Sequence, residues 1–231
     1  MKPNIVILSG AGISRESGIQ TFRDANGLWR RYDITKVASP EAWQQHPDLV
    51  LDFYNQRRRQ LQQVRPNAAH KAITKLQKYF PVQVLTQNVD DLHERAGNKN
   101  VWHLHGELLK VRSEKNKNLI YPWHKDLKLG DLAADGVQLR PHIVWFGEAV
   151  PMLEKVLPLV NQADIFILIG TSMQVYPAAG LVHQVQPETQ IYYIDPKASR
   201  LPLSNPLKVI PEKAGRALPA LVDSLIYQYC N

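Results

Sequence analysis

The chain has 231 residues, 44% of them hydrophobic and 21% charged, a globular balance with enough apolar material for a sizeable core. That composition excludes wholesale disorder, a collagen-like repeat and a coiled coil. Twenty-eight Lys and Arg against 21 Asp and Glu leave a formal charge of +7; this favours polyanionic cofactors or acidic ligands and is too weak to argue for nucleic-acid binding.

Ile5-Val6-Ile7-Leu8 opens the chain as a buried strand. Residues 40–64 read as one long amphipathic helix or two, with Pro47 the boundary. A helical pattern over 67–79 precedes a second strand, Val82-Gln83-Val84-Leu85. Residues 107–140 are polar, Lys-rich and aperiodic, punctuated by Gly130 and Gly136. Then come a strand at His142-Ile143-Val144-Trp145, a helix over 152–163 and a strand at 165–169. A helix over 177–186 and a strand at Ile191-Tyr192-Tyr193-Ile194 follow. Strands apolar on both faces, alternating with helices, predict a doubly wound parallel sheet with its ligand site at the strands' carboxyl ends. The two irregular stretches predict a small inserted lobe, approximately 29–66 and 107–140, on a sheet-bearing part of approximately 1–28, 67–106 and 141–231.

Cys230 is the single cysteine, which excludes a disulfide framework and a cysteine zinc cage. No apolar run reaches the ~18 residues of a membrane span, and the N-terminus lacks a signal peptide's long apolar region. A soluble, reducing, cytoplasmic setting is expected.

The first strand runs into Ser9-Gly10-Ala11-Gly12-Ile13-Ser14 and Gly18. A strand, a glycine turn and a helix start let backbone amides approach a pyrophosphate. The third glycine is out of place for the fingerprint of hydride-transferring enzymes. More specific are four blocks that follow: Gly18-Ile19-Gln20-Thr21-Phe22-Arg23-Asp24 with Gly27-Leu28-Trp29, Thr86-Gln87-Asn88-Val89-Asp90-Asp91-Leu92-His93, His103-Leu104-His105-Gly106-Glu107, and Val144-Trp145-Phe146-Gly147-Glu148. Gly170-Thr171-Ser172 ends the series.

In this order and spacing the blocks resemble the sirtuins, the NAD-consuming protein-lysine deacylases, over about residues 5–214. The resemblance implies a Rossmann-like sheet in a single catalytic domain spanning 1–231. It implies NAD contacts from Gly10, Ala11, Gly12, Ile13, Ser14, Phe22, Arg23, Trp29, Gln87, Asn88, Val89 and Asp90. Gly170, Thr171, Ser172, Asp195 and Ala214 would hold the adenosine end. Asn88 and Asp90 can hydrogen-bond a carboxamide and ribose hydroxyls, with Ile13 and Val89 as apolar walls. By resemblance Phe22 shields the reacting carbon and Arg23 lies near the phosphates. His105 is the candidate general base, since an imidazole suits proton uptake at neutral pH, and Asn88 joins it as catalytic. Alternation puts His103 on the same face as His105, and His103 reads as structural. The other six histidines show no metal-ligand spacing.

The reaction so implied is attack of the acyl-lysine amide oxygen on the ribose, release of nicotinamide and formation of O-acyl-ADP-ribose. An acylated peptide would lie extended between residues 144–148 and 173–176, with Val144, Phe146 and Gly147 as contacts. Tyr54 and Arg57, at i and i+3, share one helix face and can clamp a carboxylate. With the small Ala38 they resemble the desuccinylase and demalonylase subgroup. Arg58 and Arg59 read as a solvated basic face.

Departures from the family pattern matter too. The four zinc cysteines are absent, with Ser113 where the first would stand, so no metal is expected. The lobe would rely on Leu119, Ile120, Tyr121, Trp123, Leu127, Leu129 and Leu132. Gln20 replaces a common proline and Tyr193 a common asparagine. The expected partners are acylated lysines of proteins or peptides, without direct contact to nucleic acid or membrane; the oligomeric state is open. The alternatives are ADP-ribosyl transfer to protein, an NAD-sensing binding module and a hydride-transferring dehydrogenase.

Overall fold

The computed structural model describes residues 2–20 and 34–230. Its main sheet has six parallel strands in the order β3-β2-β1-β7-β8-β9. These are β1 (Ile5–Ser9), β2 (Val82–Thr86), β3 (Val101–His103), β7 (Ile165–Ile169), β8 (Gln190–Ile194) and β9 (Leu207–Ile210). β1 pairs in register with both β2, Ile5 opposite Val82, and β7, Ile5 opposite Ile165. Both faces are covered, which is why β1 and β7 are apolar at nearly every position. Ile5 and Ile7 pack with α4 (Ala68–Leu76) and α7 (Ala214–Cys230) on one side. Val6 and Leu8 pack with α6 (Met152–Asn161) on the other.

Local chemistry sets the helix starts. Ser39 caps α2 (Pro40–Gln45) by accepting from Ala42 N at 3.1 Å, with Pro40 in the first turn, where its missing N–H costs nothing. Pro47 starts a separate helix, α3 (Pro47–Gln63). Asn67 and His70 form a reciprocal capping box on α4. Two short helices, α1 (Gly12–Arg15) and α5 (Leu92–Arg95), follow β1 and β2.

A second sheet is antiparallel, in the order β5-β4-β6, from β4 (Gly106–Ser113), β5 (Ile120–Pro122) and β6 (Leu139–Ile143). It packs with α2 and α3 around Phe53, Leu61, Leu108, Val111, Leu127, Leu139 and Trp145. Ser113, at the end of β4, is fully buried. Its hydroxyl donates to Asp135 Oδ2 (2.7 Å) and accepts from the amides of Lys115 (3.2 Å) and Asn116 (3.1 Å). Hydrogen bonds thus cross-tie the lobe at this point. Among the described residues no group of three or more His, Cys, Asp or Glu could hold a metal ion, and no helix is long and apolar enough to cross a membrane.

Three expectations need correction. The apolar run at 142–145 is not a strand of the parallel sheet; Ile143 ends β6 in the small sheet, and Trp145 is buried in the lobe's core. Ala178–Gln184 is a 3₁₀ helix rather than an α-helix, consistent with the flanking Pro177 and the internal Gly180. Of the seven residues expected to form the lobe's core, Leu127 is fully enclosed, while Ile120, Leu129 and Leu132 are about half exposed. The missing apolar surface comes from α3, whose buried face includes Val50, Leu51, Phe53 and Leu61.

Candidate active site

The site is assembled where the winding of the sheet reverses. From β1 the chain proceeds outward to β2 and β3, and later returns to β7 on the other side of β1. Loops leaving such a pair diverge and open a crevice at the strands' carboxyl ends. Here the two turns are stitched together, Gly10 N donating to Ile169 O (3.0 Å) and Gly12 N to Gly170 O (2.8 Å). Gly170 has φ 61°, and a Cβ on it would lie 2.3 Å from Ile13 N, so only glycine permits this approach. Thr171 O accepts from the Tyr193 hydroxyl at 2.9 Å, while Ser172 is exposed. Asp195 follows β8 and accepts from Lys197 N at 2.8 Å. Ala214 and Ile13 are core residues, packed together beneath the sheet; Ile13 is therefore not a pocket wall.

The segment after β2 carries most of the polar groups. Gln87 N donates to Ser9 O (2.9 Å) and Asn88 N to Thr86 Oγ1 (3.0 Å). Ser14 Oγ donates to Asp90 Oδ2 (2.9 Å) and accepts from Asn88 Nδ2 (3.1 Å), so one hydroxyl aligns both side chains. Burial raises the Asp90 pKa to about 6, against the Leu92 amide, the Ser14 hydroxyl and the positive field of His103. Ala11, Arg57, Gln87, Asn88, Val89 and Asp90 line a single pocket. The Gln87 Nε2 amide in it is buried without a hydrogen-bond partner.

His105 lies in the turn between β3 and β4. Its Nδ1 is 3.1 Å from the Gln87 carbonyl, an acceptor, so Nδ1 carries the proton and Nε2 the lone pair. Burial lowers its pKa, only partly opposed by that carbonyl, which keeps the ring neutral at pH 7. Gly106 makes the turn possible: φ is 83°, and a Cβ would lie 2.1 Å from His142 O. The His105 carbonyl accepts from Val144 N (2.9 Å), and Phe146 N donates to Ala38 O (3.0 Å). Ala38 is buried, whereas Phe146 is half exposed and borders a different, open groove with Thr35, Lys36, Ser39 and His46. Gly147 adopts φ 88°.

Arg57 lines the pocket, whereas Tyr54, one turn earlier on α3, is buried against Phe53 and Trp145 in the lobe's core. The Tyr54 hydroxyl accepts from Trp145 Nε1 (3.0 Å), leaving its own proton to donate. Its burial pushes its pKa up to about 12, so the phenol is neutral. Burial lowers the Arg57 pKa, while Tyr54 and Asp90 oppose the shift. Trp145 is held by the Arg140 guanidinium, 3.3 Å from its ring centroid, and by Glu148, whose Oε2 accepts from Trp145 N at 2.8 Å. Glu148 also takes a bidentate pair from Arg140 (2.8 and 3.0 Å).

Arg58 does not belong to a solvated basic face. It is fully buried, donating to Leu108 O (3.2 Å) and Asn55 Oδ1 (2.6 Å), and burial lowers its pKa to about 10. One step along a helix turns about 100°, which swings Arg58 from the site into the lobe. Arg59 is exposed and pairs with Asp126. Phe22, Arg23 and Trp29 lie outside the described residues. The pocket also uses Ile19, Gln20, Gln60, Leu61 and Leu108, which sequence reasoning did not assign to it. Gln60 and Leu61, at i+3 and i+4 from Arg57, could have been found by extending that face; Leu108 carries no such signal.

A model of the Sir2 family matches residues 10–177. The chain is 60% identical over 223 residues to an NAD-dependent protein deacylase of Helicobacter pylori, covering 96% of this chain and 97% of that one. It is 50% identical over 229 residues to an NAD-dependent protein deacylase of Bacteroides thetaiotaomicron, covering 96% and 98%. Among solved structures, a Sir2 homologue in complex with NAD superposes with a TM-score of 0.87 at 38% identity, over 99% of this chain and 91% of that one. A Sir2 structure with a deacetylated p53 peptide and 3′-O-acetyl ADP-ribose gives a TM-score of 0.77 at 26% identity, over 98% and 94%. The chain belongs to the Sir2 family.

Proposed function

We propose that the pocket between the turns after β1 and β2 and the facing side of α3, together with the adjoining β1/β7 crevice, binds NAD and that His105 and Asn88 serve the removal of acyl groups, succinyl and malonyl as well as acetyl, from protein lysines. The chain is an NAD-dependent protein deacylase, as its relatives at 50–60% identity are named. The observation that carries the assignment of roles is the convergence of Asn88, Asp90 and the partnerless Gln87 Nε2 on one pocket. A buried amide donor without a partner costs about 1–3 kcal/mol, and a ligand rich in hydroxyl, phosphate and carboxamide oxygens offsets it.

NAD supplies an electrophilic ribose carbon once nicotinamide leaves, and that ribose carries the acyl group away. Asp90 and Asn88, aligned by Ser14, accept and donate hydrogen bonds to a carboxamide and to hydroxyls. The linked turns at Gly10–Gly12 and Gly170–Ser172 engage the Gly10, Gly12 and Gly170 amides in holding each other and the sheet, which leaves Ala11, Thr171 and Ser172 to meet the phosphate and adenosine end, with Asp195 available to a ribose hydroxyl. His105 Nε2 takes a proton from a ribose hydroxyl, its ring fixed by the Gln87 carbonyl. The Val144 and Phe146 amides are engaged by His105 O and Ala38 O, so an extended peptide would meet their carbonyls and the Gly147 main chain, a mode that reads backbone more than side chains. Arg57 lines the pocket and neutral Tyr54 is buried one turn before it on α3; the pair would suit an acyl chain ending in a carboxylate, with the small Ala38 leaving room. The dependence on NAD fits a cytoplasmic setting.

The test is to incubate the protein with NAD and acetyl-, succinyl- or malonyl-lysine peptides and analyse products by mass spectrometry. The expected result is free lysine peptide with nicotinamide and O-acyl-ADP-ribose in equal amounts. ADP-ribosylated protein would support the transferase alternative, and bound but unchanged NAD a sensing module.

A further inference from the structure

We propose that His103 is a positioning residue for the deacylation reaction, acting as an imidazolium that locks the Asn88 carbonyl and is kept charged by Glu94. Its Nδ1 lies 3.1 Å from Asn88 O and its Nε2 2.7 Å from Glu94 Oε1. A peptide carbonyl and a carboxylate both only accept, so both ring nitrogens must donate, which a neutral imidazole cannot do. His105 makes the same Nδ1 contact to the preceding carbonyl, Gln87 O, but has no carboxylate on its far side. Two rings, two residues apart, thus hold consecutive carbonyls of the site segment, one as a cation and one as a base.

The surroundings agree with this division. The side chain of His103 is only 8% exposed, and burial works against its charge. The Glu94 hydrogen bond and charge, helped by Glu107 on β4 and the Asn88 carbonyl, outweigh burial and raise its pKa. Glu94 is correspondingly held below the usual carboxylate range, burial opposing and His103 prevailing. The other titratable neighbours are Asp90, whose ionised form the His103 charge favours, and neutral His93 on α5. With Gln87 N on Ser9 O and Asn88 N on Thr86 Oγ1, the 87–88 backbone is tied at both amides and both carbonyls. Loss of the His103 proton would release one of these ties, or the hydrogen bond to Glu94, beside Asn88 and Asp90.

This proposal rests on the assignment of Asn88, Asp90 and His105 to the reaction, but its first test does not. In ¹⁵N-histidine-labelled protein at pH 7.5, with the signal assigned by its loss in His103→Gln, both His103 ring nitrogens should show protonated shifts. In Glu94→Gln the ring should be neutral at the same pH, a drop of roughly one unit or more for loss of an adjacent charge. A neutral, single-tautomer His103 in the parent protein would overturn the proposal whatever the enzyme's activity. The second test is the pH dependence of kcat on an acetyl-lysine peptide. Glu94→Gln should move the alkaline limb down by about one unit with little change in KM for the peptide, and Glu94→Asp should restore it. An alkaline limb unmoved in Glu94→Gln would reduce His103 to a structural part of β3.

Discussion

Replacing Ser113 by Ala isolates the hydrogen-bonded tie at the end of β4. The parent hydroxyl makes three contacts, and they are unequal. The bond to the Asp135 carboxylate is charge-assisted, of a kind that contributes about 1.5–3 kcal/mol, discounted here because Asp135 is exposed. The Lys115 and Asn116 amides belong to exposed residues, so water replaces much of what they lose. The sum is a destabilisation of roughly 1.5–2.5 kcal/mol. For a chain of this size that is a fall in Tm of about 3–10 °C, measurable by scanning calorimetry. A cycle with Asp135→Ala should give a coupling of at least ~0.5 kcal/mol, since the residues are in contact. Chelator should leave the melting curves of the parent and of Ser113→Ala where they are. A Tm for Ser113→Ala within about 1 °C of the parent would refute the claim that this hydroxyl ties the lobe.

His105→Ala should lower kcat by ~10² or more while NAD binding, followed by calorimetry, survives; near-parental turnover would remove it from the reaction. Arg57→Met should reduce kcat/KM for succinyl-lysine by roughly 30-fold or more and leave acetyl-lysine little changed, and equal losses on both would assign Arg57 to NAD or to structure. The control for it is the exposed Arg59→Met, because Arg58 is fully buried. Stability should fall as pH is lowered from about 6.5 toward 4. In that window His70 and His142, each lowered to about 4, and His93, lowered well below its ordinary value, take up protons later when folded than when unfolded, and the lowered His105 acts in the same direction. Each contributes up to ~1.4 kcal/mol per pH unit, and Asp90, raised to about 6, opposes them, as does the raised His103 at the upper end of the window. Urea titrations at pH 7 and 5 check the sign, and greater stability at pH 5 would contradict it.

Much of the fold was legible because burial on both sheet faces writes itself as uninterrupted apolar runs, as in Ile5-Val6-Ile7-Leu8 and Ile165–Ile169. The same signal misplaced residues 142–145, since an apolar run reports burial without reporting which core buries it. There Trp145 is enclosed by Trp43, Tyr54 and Arg140 of the lobe. Helix α7 went unread although its buried positions Ala217, Leu218, Leu221, Val222 and Leu225 follow a helical stripe; Gly215 and Pro219 interrupt the pattern. Within the site, Asn88, Asp90 and His105 are assigned through motif order, and Tyr54 with Arg57 through helical spacing. Arg58 was misread because residue type says only that a guanidinium avoids burial, not that Leu108 O and Asn55 wait for it across the lobe. The link of His103 to Glu94 joins separate segments that no local pattern connects.

The central place of β1 has a consequence for how the chain is made. Its two partners leave the ribosome far apart in time: β2 after some 80 residues, and β7 only when the chain has grown past Asp164, whose carboxylate accepts from Asn4 N across 160 positions. At ~5–20 residues per second, β1 waits on the order of 10–30 s with one edge unpaired. Long-range parallel pairing is slow to form and exposes such edges meanwhile. The strand that anchors the cofactor turn is therefore the one most open to mispairing during synthesis, and premature termination before residue 165 should yield aggregation-prone fragments rather than a partly working enzyme.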